Sequence, residues 1–266
     1  MSEQHVLETR NLVKEFKGFV AVDDVNLKIR KGDIHALIGP NGAGKTTVFN
    51  LLTKFLIPTR GQILYKGEDI TSLKSAAIAR KGVVRSFQIS AVFPHMTALE
   101  NIRVALQTAE GTSFSFWKSG NSLHKLNQRC MELLDAVGLA EFANTTTIEL
   151  AYGRKRALEL ATTLAMEPEI LLLDEPTQGM GSEDVDRVVE LVRKAADGRT
   201  VLMVEHNLSV VSKLCDRITV LAQGAVLTEG DYAAVSADPR VREVYMGSEG
   251  SGERGTASSE EAEAAQ

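Results

Sequence analysis

Apolar positions divide the chain into stretches of different period. Near the N-terminus they alternate: Val6, Glu8 and Arg10 against Leu7 and Thr9, then Val22, Val25, Leu27 and Ile29 within Val20 to Ile29. A period of two predicts strands. Lys31-Gly32-Asp33 reads as a turn, and His35-Ala36-Leu37-Ile38 is a short apolar run ending in Gly39-Pro40-Asn41-Gly42. Such a short, mostly apolar run bounded by turn residues suits a buried strand of a parallel sheet. A helix is expected from near Gly44 through Leu52, and after the breakers Pro58 and Gly61 a strand over Gln62 to Tyr65.

The pattern changes from Thr97 to Ala143. Leu99, Ile102 and Leu106, then Leu126, Met131, Leu134 and Val137, recur at helical spacing, separated by a loop-like Gly111 to Trp117. This predicts a helical subdomain inserted into an α/β body. Helices over Arg154 to Met166, Ser182 to Ala195 and Leu208 to Cys215 then alternate with strands over Ile170 to Leu173, Thr200 to Val204 and Ile218 to Ala222. That alternation implies a parallel sheet with helices on its faces. Gln223-Gly224 turns the chain into Val226 to Thr228, and beyond Gly247 only Ser, Gly, Glu and Ala dominate, without apolar period. The last stretch is expected to be a disordered tail.

Composition narrows the class. Of 266 residues, 44% are hydrophobic and 24% charged, enough apolar material for a large core. No run approaches the roughly 18 apolar residues of a membrane span, and Met1 to Arg10 carries no signal-like apolar segment. Cys130 and Cys215 are the two cysteines, which excludes a disulfide framework or a CxxC metal site and fits a reducing compartment. The net charge of −5 argues against a nucleic-acid partner. Ser248 to Gln266 carries five Glu and one Arg, so most of that acidity belongs to the tail.

Two motifs carry chemistry. Gly39-Pro40-Asn41-Gly42-Ala43-Gly44-Lys45-Thr46 matches G-x-x-x-x-G-K-[ST] between an expected strand and an expected helix. Its glycines let successive N–H groups turn toward phosphate oxygens, and the helix adds its positive end. Lys45 supplies a point charge for the β/γ-phosphates, and the Thr46 hydroxyl can hold Mg²⁺. The second motif is Leu171-Leu172-Leu173-Asp174-Glu175-Pro176, two acids at the carboxyl end of a buried strand, where open α/β sheets bind ligands. Asp174 would complete a Mg²⁺ shell and Glu175 would polarise an attacking water. The competing use for either acid is to cap the helix that follows.

With these motifs in place, the chain from Val6 to Gly247 resembles the nucleotide-binding subunit of an ATP-binding cassette (ABC) transporter. The resemblance implies an α/β fold: an ABC-type P-loop NTPase with a RecA-like parallel-sheet core, an N-terminal antiparallel β subdomain, and a helical subdomain inserted at about residues 90–165. It makes residues 1–247 the ATPase domain and 248–266 an acidic tail. It implies ATP and Mg²⁺ as cofactors. Phe16 stands where the family stacks an aromatic on adenine, worth about 1–3 kcal/mol if it does so; the alternative is a core residue at a strand end. The phosphate loop extends through Thr47. Gln88, in Ser86-Phe87-Gln88, matches a glutamine that touches Mg²⁺ and senses the membrane partner. Leu150-Ala151-Tyr152-Gly153 occupies the signature position, which in the family closes the ATP site of a second subunit. His206 matches the switch histidine at the γ-phosphate. Catalysis would then rest on Lys45, Glu175 and His206.

The departures point to one branch. The usual Leu-Ser-Gly-Gly-Gln signature reads Leu150-Ala151-Tyr152-Gly153-Arg154, which removes a serine donor, and the usual D-loop aspartate reads Gly181. These features resemble ATPases of branched-chain amino acid importers and of related importers of urea or short amides. So do the stretches Ala237 to Gly247 and Gly82 to Gln88, and the insert near Phe114 to Trp117. The implied partners are a second ATPase subunit (identical or a sister chain), two transmembrane permease subunits and, indirectly, an external solute-binding protein. The implied place is the cytoplasmic face of the cell membrane. Ile89 to Met96, with Val92, Phe93 and Met96, would meet a permease helix or else belong to the core. A soluble ABC ATPase that assists assembly is the reading of a different class.

Overall fold

β1 (His5–Phe16) anchors the first of two sheets in the computed structural model, which describes residues 4–86, 92–109 and 120–249. It pairs antiparallel with β2 (Phe19–Val25), with Phe16 opposite Phe19, and with β3 (Lys28–Arg30). The sequence pattern from Val20 to Ile29 suggests one strand, but the chain breaks it in two. Asp24 takes a left-handed φ of 50°, and the Asn26 side chain donates to the Asp24 carbonyl at 2.8 Å. Local turn chemistry of this kind outcompetes the ladder.

The chain then crosses to the second sheet with β4 (Ile34–Ile38), all five residues of which are buried. α1 (Lys45–Leu52) follows, and β5 (Arg60–Tyr65) and β6 (Glu68–Asp69) return to complete the antiparallel sheet. α1 lies between the two sheets. Val48, Phe49, Leu51 and Leu52 pack with Leu12, Val22 and Ile63 from one sheet and Leu37, Leu172 and Val204 from the other.

α2 (Ser75–Arg80) leads into β7 (Val83–Ser86), the edge strand of the second sheet. The sheet runs β11, β10, β4, β9, β8, β7, with β8 (Ile170–Asp174), β9 (Thr200–Val204), β10 (Arg217–Ala222) and β11 (Ala225–Gly230). All neighbours are parallel except β10 and β11, which form a hairpin. Alternation sorts the strands: Leu37 faces α1, whereas Ala36, Ile38, Leu171, Leu173 and Met203 face the opposite core.

That opposite core holds the inserted helices α3 (Ala98–Ala109), α4 (Gly120–Ala136) and α5 (Tyr152–Leu164), joined by 3₁₀ turns at Ala140–Phe142 and Thr147–Glu149. α3 opens with a capping box: Thr97 Oγ1 accepts from Glu100 N–H at 3.2 Å, and the Glu100 carboxylate accepts from Thr97 N–H at 2.8 Å. The buried Asn101 amide ties the preceding segment down, bonding Phe93 N–H at 2.6 Å and Thr147 Oγ1 at 3.0 Å. Phe93 and Met96 themselves are exposed rather than core, while Val92 packs inward. α6 (Ser182–Ala195), α7 (Leu208–Leu214), α8 (Tyr232–Ala237) and α9 (Pro239–Glu249) complete the fold. Ile89, Gly111 to Trp117 and the stretch from residue 250 onward lie outside the described residues.

Candidate active site

The parallel register brings the expected residues to one edge. Leu37 of β4 and Asp174 of β8 both stand beside Val204 of β9. The loop after β4, the acids after β8 and Glu205-His206 after β9 therefore emerge together at the carboxyl ends of the strands.

The loop of Gly39 to Gly44 is built to let backbone come close. Gly39 has φ 150°, and a Cβ there would lie 2.2 Å from the Leu221 carbonyl oxygen. Gly44 has φ 97°, and its Cβ would lie 2.6 Å from the Ala21 carbonyl oxygen. Only glycine fits either place. Pro40, Asn41 and Gly42 line the solvent side of the loop, and Ala43 is buried beneath it. Lys45 Nζ folds back over the loop, donating to the Gly39 carbonyl at 2.7 Å and the Pro40 carbonyl at 3.0 Å. Burial lowers the Lys45 pKa, and Glu175 and Asp174 oppose that shift. The first turn of α1 has no acidic residue and no side-chain cap, Thr46 is exposed there and Thr47 is half-buried. A glycine-rich turn, a helix N-terminus and one lysine form a cradle that fits phosphate.

Asp174 ends β8 buried, in an ion pair with Arg85 of β7. Glu175 adopts a left-handed φ of 46° and donates its N–H to the Val204 carbonyl at 2.9 Å. His206 Nδ1 lies 3.9 Å from Glu175 Oε1. Neither acid caps α6, whose N-cap is Gly181, so the helix-capping alternative falls away. Thr46 and Asp174 offer oxygen donors alone, and among the described residues no three His, Cys, Asp or Glu cluster to cage a metal. That donor set fits Mg²⁺, which keeps water and phosphate in most of its shell. Gln88 lies outside the described residues.

Two residues escape the sequence pattern. Glu205 is fully buried and accepts from Thr177 Oγ1 at 2.6 Å and from the N–H groups of Thr177, His206 and Asn207 at 3.1 to 3.2 Å. It holds the turn after β8 to the turn after β9. Its neighbour His206 carries the motif, and nothing in the sequence distinguishes Glu205 from a surface acid. The second is Arg85, a charged residue in a four-residue strand.

Phe16 is 40% exposed, with Lys14 Nζ 5.0 Å from its ring centroid, so it is not a core residue at a strand end. Phe19 opposite it is exposed as well, and β2, which Phe19 starts, abuts Gly44 through Ala21.

The signature stretch sits at the start of α5. Leu150 is buried in the core across the parallel sheet from α1. Ala151 is the N-cap and makes no side-chain bond. Tyr152 Oη donates to the Gln178 carbonyl at 3.2 Å, joining this stretch to the loop before α6. Gly153 faces α6, since a Cβ there would lie 3.3 Å from Asp184 Oδ1.

Comparison with known proteins places this geometry. The family model for ABC transporters matches residues 22–178, and one for branched-chain amino acid ATP-binding cassette transporters matches residues 225–251. The chain is 41% identical over 250 residues to the high-affinity branched-chain amino acid transport ATP-binding protein BraF of Pseudomonas aeruginosa, covering 91% of this chain and 98% of that one. It is 38% identical over 251 residues to LivG of Escherichia coli, of the same description, covering 92% and 98%. Among solved structures, the ATP-binding cassette MJ1267 in its ADP conformation superposes with a TM-score of 0.80 at 28% identity, covering 91% and 99%. The dimeric cassette MJ0796 superposes with a TM-score of 0.72 at 28% identity, covering 85% and 98%.

Proposed function

The chain belongs to the ABC transporter family, and from that premise we propose that it is the ATP-hydrolysing subunit that energises an importer of branched-chain amino acids. The observation that carries the ATPase reading is the convergence of Lys45, Asp174, Glu175 and His206 at one sheet edge. The substrate reading is supported by the match over residues 225–251 and by the names of the relatives.

Bound MgATP would supply the γ-phosphoryl group and a divalent charge to neutralise it. The loop amides of Gly39 to Lys45 and the start of α1 hold the phosphates, with Thr46 and Thr47 at the helix end. Lys45 leaves its carbonyl partners for the β/γ-phosphates. Thr46 and Asp174, with Gln88, would hold Mg²⁺. Glu175 accepts the proton of the attacking water, and His206, near it, donates to the γ-phosphate. Phe16 stacks on adenine.

Leu150 to Gly153 serve the ATP of a second cassette, so the working unit is a dimer of identical or sister chains. Ala151 leaves that site one hydroxyl short, and the backbone N–H groups at the start of α5 remain to bind the anion. Exposed Phe93 and Met96 meet one of two transmembrane permease subunits. An external solute-binding protein delivers the substrate to those permeases. Among the described residues no helix is long and apolar enough to cross a membrane, and the permeases would hold the chain at the inner face. Residues 1–247 form the ATPase unit and 248–266 an appended acidic tail.

The test is labelled leucine uptake in cells lacking this chain, complemented with wild type or Lys45→Ala. Uptake restored by wild type and not by the variant supports both the ATPase and the substrate. Uptake unchanged by either removes leucine, and the same cells then decide between urea and short amides.

A further inference from the structure

Arg85 sits behind the proposed metal site and is held through both terminal nitrogens of its guanidinium. Its side chain is 7% exposed. One edge of the guanidinium pairs with Asp174 through Nη2, and the other donates from Nη1 to Asn50 Oδ1 at 2.6 Å. Its guanidinium carbon lies over two rings, 5.4 Å from the centroid of Phe49 and 5.7 Å from that of Phe55. A planar fork bonded through both terminal nitrogens, with its charge over two aromatic rings, cannot swing aside as a lysine would. The hydrogen bond to Asp174 is accepted by a single carboxylate oxygen, Oδ2.

Three elements meet at this one side chain. β7 carries Arg85, three positions before Gln88 in sequence. β8 carries Asp174, and α1, which follows the phosphate loop, carries Asn50. We propose that Arg85 is a positioning residue: it orients the Asp174 carboxylate toward Mg²⁺ and ties that carboxylate to α1 and to the strand leading to Gln88. This inference rests on the proposed ATPase site and adds a residue to it. A second-layer partner that orients a metal-binding carboxylate typically changes metal affinity by about 10–100-fold when removed.

The experiment measures ATP binding by calorimetry, in EDTA and in saturating MgCl₂, for wild type, Arg85→Met, Arg85→Lys, Asp174→Asn and the Arg85→Met/Asp174→Asn double variant. Mg²⁺ tightens binding to wild type. Arg85→Met keeps its EDTA affinity within about twofold and loses about tenfold of the Mg²⁺-dependent tightening. Arg85→Lys behaves like Arg85→Met, because an ammonium on a flexible stem cannot span Asn50 and Asp174 at once. The double variant loses no more than Asp174→Asn alone, since both changes act through one carboxylate.

Full Mg²⁺ tightening in Arg85→Met, full recovery in Arg85→Lys, or additive losses in the double variant would each overturn the positioning role. A purely structural residue would instead weaken binding equally in EDTA and in Mg²⁺. If Arg85→Met does not fold, Asn50→Ala replaces it: it frees one guanidinium edge, keeps the charge, and is expected to show a smaller loss in the same direction. An Asn50→Ala protein with undiminished tightening overturns the proposal as well. Asp174→Asn reports on the site itself. If it alone retains full tightening, the metal is not at Asp174 and the role of Arg85 falls with that assignment. If it loses the effect while the Arg85 variants keep it, only the Arg85 role falls.

Discussion

The buried carboxylate of Glu205 accepts the hydroxyl proton of Thr177 at 2.6 Å, across the gap between the turns that follow β8 and β9. The same carboxylate accepts three backbone N–H groups, from Thr177, His206 and Asn207. One side chain therefore sets the position of His206 relative to Glu175. Removing it as Glu205→Ala strands four donors, and the expected loss is about 3 kcal/mol or more of stability. Thr177→Val, which removes one donor, should cost about 1–2 kcal/mol. Urea unfolding of the two variants checks the order, and a Glu205→Ala protein as stable as wild type would refute the anchor.

Glu175 stands 3.9 Å from His206 and its backbone is pinned to Val204, so its carboxylate is placed without help from substrate. Glu175→Gln should keep ATP affinity, slow hydrolysis by about 10²–10⁴-fold and accumulate an ATP-dependent dimer. Phosphate release and size-exclusion chromatography with ATP measure both effects. Normal turnover would remove Glu175 from the chemistry.

Gly39 and Gly42 belong to the same loop and should respond differently to alanine. Both have positive φ, but a Cβ at Gly39 meets the Leu221 carbonyl at 2.2 Å, whereas at Gly42 it meets nothing within 4 Å. Gly42→Ala then pays conformational strain alone, about 1–2 kcal/mol. Gly39→Ala must also push β10 away from the loop, and is expected to lose ATP binding or folding. Nucleotide titration of the two purified variants distinguishes them, and equal behaviour would contradict the packing at Leu221.

His35 supplies a pH dependence. Its Nε2 bonds Thr219 Oγ1 at 2.7 Å, and Thr219 in turn donates to Glu229, which Arg217 also holds. Burial drives the His35 pKa from 6.5 down to about 4; Glu229 opposes the shift, and Arg217 and Arg30 add to it. Below about pH 6.5 the unfolded chain takes up a proton that the folded chain refuses, so stability falls as pH drops toward about 4. The Glu229 pKa is also lowered, which removes stability in a more acidic window, below the ordinary glutamate value. His35→Gln should flatten the decline between about pH 6.5 and 5 in urea midpoints. An unchanged slope would mean that His35 is not the group responsible.

Much of the fold was legible because burial and period coincide. Thr200 to Val204 and Ser182 to Ala195 occur with the bounds that their apolar patterns predict. β7 was not legible as a strand. It is four residues long and carries Arg85, whose charge argues for surface until Asp174 and Asn50 are seen around it. The break of Val20 to Ile29 into β2 and β3 was likewise hidden, since it depends on an Asn–Asp turn that the apolar period runs through. α5 begins at Tyr152 rather than at Arg154, drawing two residues of the signature into the helix.

The order of residues along the chain specifies the chemistry available: a glycine loop ending in Lys45-Thr46, two acids closing an apolar strand, and a histidine after the next one. These are local, because phosphate binding needs consecutive backbone N–H groups and strand burial needs consecutive apolar residues. Which buried polar groups find which partners depends on how the strands and helices pack. The pairing of Arg85 with Asp174, the hold of Glu205 on Thr177, and the bond from Tyr152 to Gln178 join residues 26 to 89 positions apart. A buried charge takes whatever partner the packed strands bring to it, and that choice is made in three dimensions.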